Sequence, residues 1–471
     1  GDLWERVRAG FNIAYSLDKR AEQRVKHYRD RLTNSSRLLE QVGDKARPYL
    51  YFIVTELEKH KLPLELALLP IIESRYDPFA YSPGRASGLW QFIPSTGKRF
   101  GLTQDWWQDE RRDTITATGS AIQYLSYLNT LFDGDWLLAM AAYNAGQGTV
   151  RRAIRKNKKR GKPTDYWSLD LPKETRHYIP KLLAWKDIIA SPESYNVKLR
   201  PIPDQAYFAI VDIGSQIDLA RAAELAEVDI DTIYQLNPAF NRWATDPSPP
   251  HDLVVPLENA SILEQNLTLF PLGQRMTWRR YIIQPNDSLI KIANQFDTSP
   301  QLVKAVNGLK SHRIIAGKGL LIPSASKESE YYSKSVDQRL HKHQSRAPRK
   351  NAIQVKHSVA RGETLWDIAK HYKVSTQSLA RWNNMAPGDV LSVNKELIVW
   401  LNESKVQVIK NEKRKLFYTV KQGDSLAYIA QKFQVKISDI KSWNTISQKY
   451  IQPGQLLTLY IALTDRQLMA N

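Results

Sequence analysis

The sequence predicts a multidomain protein: a mainly α-helical N-terminal domain followed by small βααβ modules on flexible linkers. Three observations carry this expectation. Residues 1–194 place apolar side chains at helical spacing and show little two-residue alternation. After Pro201 one template recurs three times. Polar, charged stretches poor in aliphatic residues separate the copies. At 471 residues the chain is also too long for one typical domain, and length alone suggests about three units.

In chain order, Leu3, Val7, Phe11 and Ile13, then Val25, Tyr28 and Leu32, then Leu38, Leu39 and Val42 predict two or three amphipathic helices within 1–60 that serve packing. The apolar run Leu64 to Ile72 belongs to a helix expected over Glu65 to Ser74, and it delivers one carboxylate, Glu73. Burial disfavours an ionised acid and raises its pKa, which suits a general acid near neutral pH. Read alone, Glu73 is equally a solvated helix end. Ser95-Thr96 starts a short helix toward Phe100, and Asp113 to Phe132 forms a long one. Asp133-Gly134-Asp135 makes a turn, with Asp135 as N-cap for Trp136 to Tyr143. Val150 to Arg155 is helical, Lys156 to Lys162 a basic loop, and Glu174 to Ile189 the closing helix.

The repeated template begins at Tyr281, His357 and Tyr418 and reaches Ala293, Ala369 and Ala430. Asn307, Asn383 and Asn444 stand 14 residues after those alanines, and each copy ends in an apolar, strand-like run. Strand, capped turn, two helices and strand make a βααβ unit of about 45 residues. A fainter copy runs through Ala223 and Asn237, with the same spacing but without the turn signature. The expected divisions are 1–60 (helical lead-in), 61–200 (helical domain), 201–270 (degenerate module), 279–323, 353–401 and 415–460 (modules), with linkers at 324–352 and 402–414.

Composition excludes some chemistries. With no Cys there is no disulfide, thiolate metal site or Cys nucleophile. A net charge of +19 calls for an anionic partner: nucleic acid, a membrane surface or a wall polymer. The cations are dispersed and no nucleic-acid recognition motif occurs, so no nucleic-acid partner is expected. The 13 Trp and 22 Tyr suit core packing first and sugar stacking second. No apolar run of about 18 residues predicts a membrane span. The chain opens at Gly1 without Met, so a trimmed form is expected, with any targeting segment or lipidated anchor lost.

Glu73-Ser74, Gly88-Leu89-Trp90-Gln91-Phe92, Ala142-Tyr143-Asn144-Ala145-Gly146 and the later Tyr178 occur in the order known from the lysozyme-like lytic transglycosylases, which the helical domain resembles. The departures are Trp90, where that family usually has Met, and Phe92, where it often has an aliphatic residue. The downstream units resemble LysM modules. The resemblance implies cleavage of the β-1,4 bond between N-acetylmuramic acid and N-acetylglucosamine in peptidoglycan, without water, to leave a 1,6-anhydro end. Glu73 would be acid and then base, and neither cofactor nor metal is implied. Ser74, Ser87, Gly88, Trp90, Gln91, Tyr143, Asn144 and Tyr178 would bind or frame the sugar. Ser74 is equally a helix cap, and Tyr178 would orient Glu73. Asp77 reads as a turn residue before Pro78 rather than as a second catalytic acid. Glycan contacts in the modules are expected from Asp287, Ser288 and Asn307, from Gly362, Glu363, Thr364 and Asn383, and from Gly423, Asp424, Ser425 and Asn444. Asn286 stands where the other turns have Gly. The expected partner is the glycan strand and the expected state a monomer in the periplasm of a Gram-negative bacterium, associated with the outer membrane. A hydrolytic muramidase and an inactive wall-binding scaffold are the competing functions.

Overall fold

A computed structural model describes residues 1–393, 395–406, 414–433, 435–446 and 451–461. The chain forms two compact units, Gly1–Arg339 and Leu340–Asn471.

In the first unit the N-terminal helices α1 (Leu3–Ala9), α2 (Lys19–Thr33), α3 (Ser36–Ala46) and α4 (Leu50–Lys59) share one apolar core with the helices that follow. The lead-in is therefore part of the helical domain and has no core of its own. A 3-10 turn, Leu64–Leu68, precedes α5 (Leu69–Ser74), where one helix was expected. Pro70, near the start of α5, lacks the N–H that would continue a single α-helix from Leu64. Then come α6 (Pro94–Arg99), α7 (Thr114–Leu131), α8 (Trp136–Ala145), α9 (Gln147–Lys159) and α10 (Lys173–Ala190).

Capping sets several of these starts. Asp113 accepts from the Thr116 amide at 2.7 Å, and Asp135 from the Leu138 amide at 3.0 Å. Leu137 to Ala142 of α8 are all buried, which makes α8 the central helix. The basic residues Lys156 to Lys159, expected in a loop, continue α9. Cations suit a helix C-terminus, and buried Asn157 donates to the carbonyls of Pro163 and Ser168 at 2.8 and 2.9 Å.

The degenerate module is a true βααβ unit. Strand β1 (Phe208–Asp212) pairs antiparallel with β2 (Asp252–Pro256), and helices Leu219–Ala226 and Ile230–Leu236 lie between them in sequence. Strands β3 (Thr277–Ile282) and β4 (Gly319–Ser324) form the next pair. In the second unit β5 (Ile353–Ser358) pairs with β6 (Glu396–Leu401), and β7 (Arg414–Thr419) with β8 (Leu456–Ile461). Register repeats with the template: Tyr281 faces Leu320, His357 faces Leu397 and Tyr418 faces Leu457.

The expectation of independent modules on flexible linkers fails within the first unit. Trp107 of the helical domain, Trp243 of the degenerate module, Leu302 of the next module and Tyr332 belong to one apolar cluster. Arg112, buried, donates to the carbonyls of Pro238 and Ala239 at 2.8 and 3.2 Å. The stretch 324–352, expected as linker, holds a 3-10 turn at Ser329–Tyr331 and a helix at Val336–Ser345. Tyr332 is 2% exposed, and its hydroxyl donates to the Asp218 carboxylate at 2.9 Å. Polar composition hid this anchor. Of the second linker, 402–414, residues 407–413 lie outside the described residues.

Candidate active site

Helix α5 is short and apolar, with Leu69, Pro70, Ile71 and Ser74 buried, and it carries the half-buried Glu73 to the edge of the core. Glu73 lines a cleft of about 650 Å³ together with Gln91, Phe92, Tyr143, Asn144, Glu174 and Tyr178. Helix α8 supplies Tyr143 and Asn144, and α10 supplies Glu174, Tyr178 and Lys181.

The Tyr178 hydroxyl donates to Glu73 Oε1 at 2.5 Å. Desolvation pushes the Glu73 carboxyl up to about 7; the Tyr178 bond opposes that rise and the charge of Glu174 adds to it. Burial first, and then the Glu73 charge, holds both Tyr178 and Tyr143 well above the usual phenol range. Both stay protonated, so Tyr178 is a fixed donor to the acid. The acid can hold a proton at neutral pH and accept one afterwards.

Gln91 sits at φ +51 and donates to the carbonyls of Ala80 and Gly88 at 3.1 and 2.8 Å, so its amide nitrogen is committed to holding its own turn. The Tyr143 hydroxyl donates to the Trp90 carbonyl at 2.7 Å, tying α8 to that turn. Asn144 donates to Glu174 at 3.2 Å and accepts from the Thr175 hydroxyl at 2.8 Å.

Four of the expected sugar-binding residues lie behind the cleft. The Ser74 hydroxyl is buried and donates to the carbonyls of Pro70 and Leu89, so it fastens α5 to the Gly88–Phe92 turn. Ser87 is 1% exposed. Gly88, at φ +83, is required by packing: a Cβ there would stand 2.0 Å from the Arg111 carbonyl oxygen. Trp90 is fully buried and donates from its indole to Thr118 at 3.0 Å. Of the two departures, only Phe92 bears on the cleft, where it packs against Tyr124 and Tyr143. Asp77 accepts from the Phe79 amide at 3.0 Å, as a turn residue does. The carboxylate that sequence reading missed is Glu174, about a hundred positions from Glu73 and marked by no motif of its own.

The modules give a second set of corrections. Asn307, Asn383 and Asn444 do not face outward for ligand. Each donates to the carbonyl four residues earlier, and each exchanges a pair of bonds with one residue of the closing strand: Leu321, Ile398 or Thr458. Asn237 of the degenerate module does the same with Val254. The 14-residue spacing is thus a structural staple between helix and sheet.

The turn acids are equally occupied. Asp287 accepts from the Tyr281 hydroxyl at 2.7 Å and the Gln284 amide at 2.8 Å. Asp424 accepts from Tyr418 and the Lys421 amide at the same distances. Glu363 meets the His357 imidazole at 2.9 Å and the Ala360 amide at 2.7 Å. Ser288, Thr364 and Ser425 accept the N-capping bond of the first helix in their modules, from the amides of Lys291, Asp367 and Tyr428. Asn286 takes the same left-handed conformation as Gly362 and Gly423, so its turn is unchanged.

With these geometries in hand, comparison with known proteins is specific. The family model "Transglycosylase SLT domain" matches residues 51–165, and the "LysM domain" model matches 281–323, 357–400 and 418–459. The model "Lytic transglycosylase MltD, LysM-like domain" matches 207–271, the degenerate module. Membrane-bound lytic murein transglycosylase D of Escherichia coli (strain K12) is 34% identical over 407 residues, covering 83% of this chain and 85% of that one. The chain belongs to the lytic murein transglycosylase D family.

An autolysin of Enterococcus faecalis is 30% identical over 183 residues, 37% of this chain and 24% of that protein. The soluble lytic transglycosylase SLT70 of Escherichia coli is a structural neighbour with 26% identity, a TM-score of 0.23 and coverage of 28% of this chain and 22% of that one; the family assignment does not rest on it.

Proposed function

We infer that the protein is a peptidoglycan lytic transglycosylase whose acid and base are the one residue Glu73. The observation that carries this reading is the Glu73–Tyr178 pair: a carboxyl held near pKa 7 in a cleft, oriented by a donor that cannot take its proton. Protonated Glu73 gives its proton to the glycosidic oxygen as the bond to the muramic C1 breaks. The resulting carboxylate then takes the proton of the muramic C6 hydroxyl as that oxygen bonds to C1. Glu73 is protonated again, and one chain has become an N-acetylglucosamine end and a 1,6-anhydro-muramic end. Water is neither added nor lost. Gln91, Tyr143 and Asn144 frame the sugar beside the acid.

The modules keep the enzyme on its insoluble polymer. Their turn acids are consumed internally, so sugar contact is assigned to the backbone of the turns and to the exposed Ile290, Trp366 and Tyr428 of the helices that follow them. A monomer is proposed, because Glu73, Tyr178, Gln91 and Asn144 complete the cleft within one chain. The proposed location is the Gram-negative periplasm beside the outer membrane. Among the described residues no helix is long and apolar enough to cross a membrane.

Mass spectrometry of digested peptidoglycan tests the reaction. Anhydro ends without added water are expected; products heavier by one water, with reducing ends, would make the enzyme a hydrolase. That second reading is favoured by one observation, the carboxylate of Glu174 in the same cleft, since two-carboxylate glycosidases activate water or form a covalent intermediate with a second acid.

A further inference from the structure

The far side of α5 carries a second cavity, of about 460 Å³. It is walled by α2 and α3 through Tyr28, Arg31 and Leu38, by Arg75 just after α5, and by α10 through Lys181 and Trp185. Ile72 and Lys181 line both this cavity and the Glu73 cleft, so the two are neighbours separated by those side chains. We propose that this cavity binds the anionic peptide arm borne by the glycan that Glu73 cleaves; the proposal rests on the function inferred above.

Charge is the first argument. Arg31, Arg75 and Lys181 line the cavity, and no Asp or Glu does among the described residues. None of the three has a carboxylate partner among the ion pairs of the described residues, although Arg29 on the same helix is held by Glu22 and Asp187 at 2.7 and 2.6 Å. Cations gathered without counter-charge beside an apolar wall create a potential that recruits an anion. Backbone conformation is the second argument. Arg75 and Tyr76 both have positive φ, +54 and +56, where Gly or Asn would be easiest at a helix end. Strain of this kind persists where surrounding structure fixes it, often at a binding site, and here it presents a guanidinium two residues after the acid. Shape is the third. Leu32, Leu38 and Val42 give the cavity an aliphatic wall, and the Lys181 ammonium lies 5.8 Å from the Tyr28 ring centre. A bare phosphate would use only the charges. A short peptide with small apolar side chains and free carboxylates uses the wall as well.

The test is calorimetric titration of the full chain carrying Glu73→Gln with two soluble fragments, one peptide-bearing and one with the peptide removed. The peptide-bearing fragment is expected to bind at least 10-fold more tightly. Arg31→Ala, an exposed helical position, and Arg75→Asn, which tolerates the left-handed backbone, should together cut that preference at least 5-fold, and high salt should do the same. Equal affinity for the two fragments overturns the proposal, as does a preference that survives both substitutions. In parallel, the wild-type chain is assayed on peptide-bearing and on peptide-free strands. Anhydro ends without any peptide preference would sink this site alone, whereas a lack of anhydro ends on every substrate would sink the inferred reaction while the binding data still judged the site.

Discussion

Glu73 in the cleft and Asp287 in the first module's turn are both acids beside a short helix, and the protein treats them in opposite ways. Glu73 has one strong donor, Tyr178, and desolvation wins: its pKa rises to about 7. Asp287 is held by Lys291, by the Tyr281 hydroxyl and by the Gln284 amide, and its pKa falls to about 2. The first is left short of partners and can exchange a proton. The second is saturated and fixes a turn. Counting donors around an acid separates chemistry from architecture better than the acid's place in a motif.

The largest expected effect tests the under-satisfied acid. Glu73→Gln keeps the shape and removes the proton donor, so formation of anhydro ends should fall by about 10³-fold or more, while sedimentation with peptidoglycan stays unchanged. Retained turnover would show that the cleft acid is not the catalyst. Tyr178→Phe comes next. The lost hydrogen bond had lowered the Glu73 pKa, so the alkaline limb of the pH–rate profile should move to higher pH as the rate drops roughly 10-fold. A limb that moves to lower pH would contradict the assigned balance of burial and hydrogen bonding.

The same contrast has a stability side. A folded-state pKa raised from 4.5 to about 7 means that ionisation opposes folding. Below the unfolded pKa both states are protonated and nothing is lost. As pH rises to about 7 the folded state loses ground, and above that the loss is constant. Glu73→Gln should therefore melt like the wild type at pH 4 and be more stable at pH 8, by about 2–3 kcal/mol. Denaturant titrations of both proteins at the two pH values measure it, and equal stabilities at pH 8 would show that the acid is well solvated.

How far the sequence reached follows the same line. Asp135 was readable as a cap because a cap is local: an acid immediately before a run of helix formers; Asp113, read as the first residue of its helix, is the cap of a helix that starts at Thr114. The 14-residue spacing was readable as a repeat, and its cause, an Asn bridging the second helix to the closing strand, explains why it persists in the degenerate module where the turn signature is lost. The motif around Gln91 located the cleft but not its inner and outer faces. Trp90 within that motif and Ser87 just before it are buried in the core, since a turn alternates direction in ways that need the packed neighbours to decide, and Ser74 beside the acid is buried with them. Glu174 and Lys181 reach the site from α10, and the anchor of Tyr332 on Asp218 spans more than a hundred residues. Such pairings are properties of the tertiary fold and leave no local pattern.

The smallest expected effect is at the saturated end of the comparison. Replacing the staple by Ala removes one side chain and orphans the strand amide and carbonyl it had satisfied, so Asn237→Ala, at a buried position, should cost about 1–3 kcal/mol. The same change at Asn444, which is partly exposed, should cost less, because water can replace the lost partner. Thermal melting of the full chain reads the first, and hydrogen exchange at the Thr458 amide reads the second. Cleavage of peptide-free glycan should be untouched by Asn444→Ala, since that residue holds only its own module together. If wall retention falls with no change in exchange at Thr458, then Asn444 meets the glycan directly, and the saturated Asn would have to be moved to the functional side of the comparison.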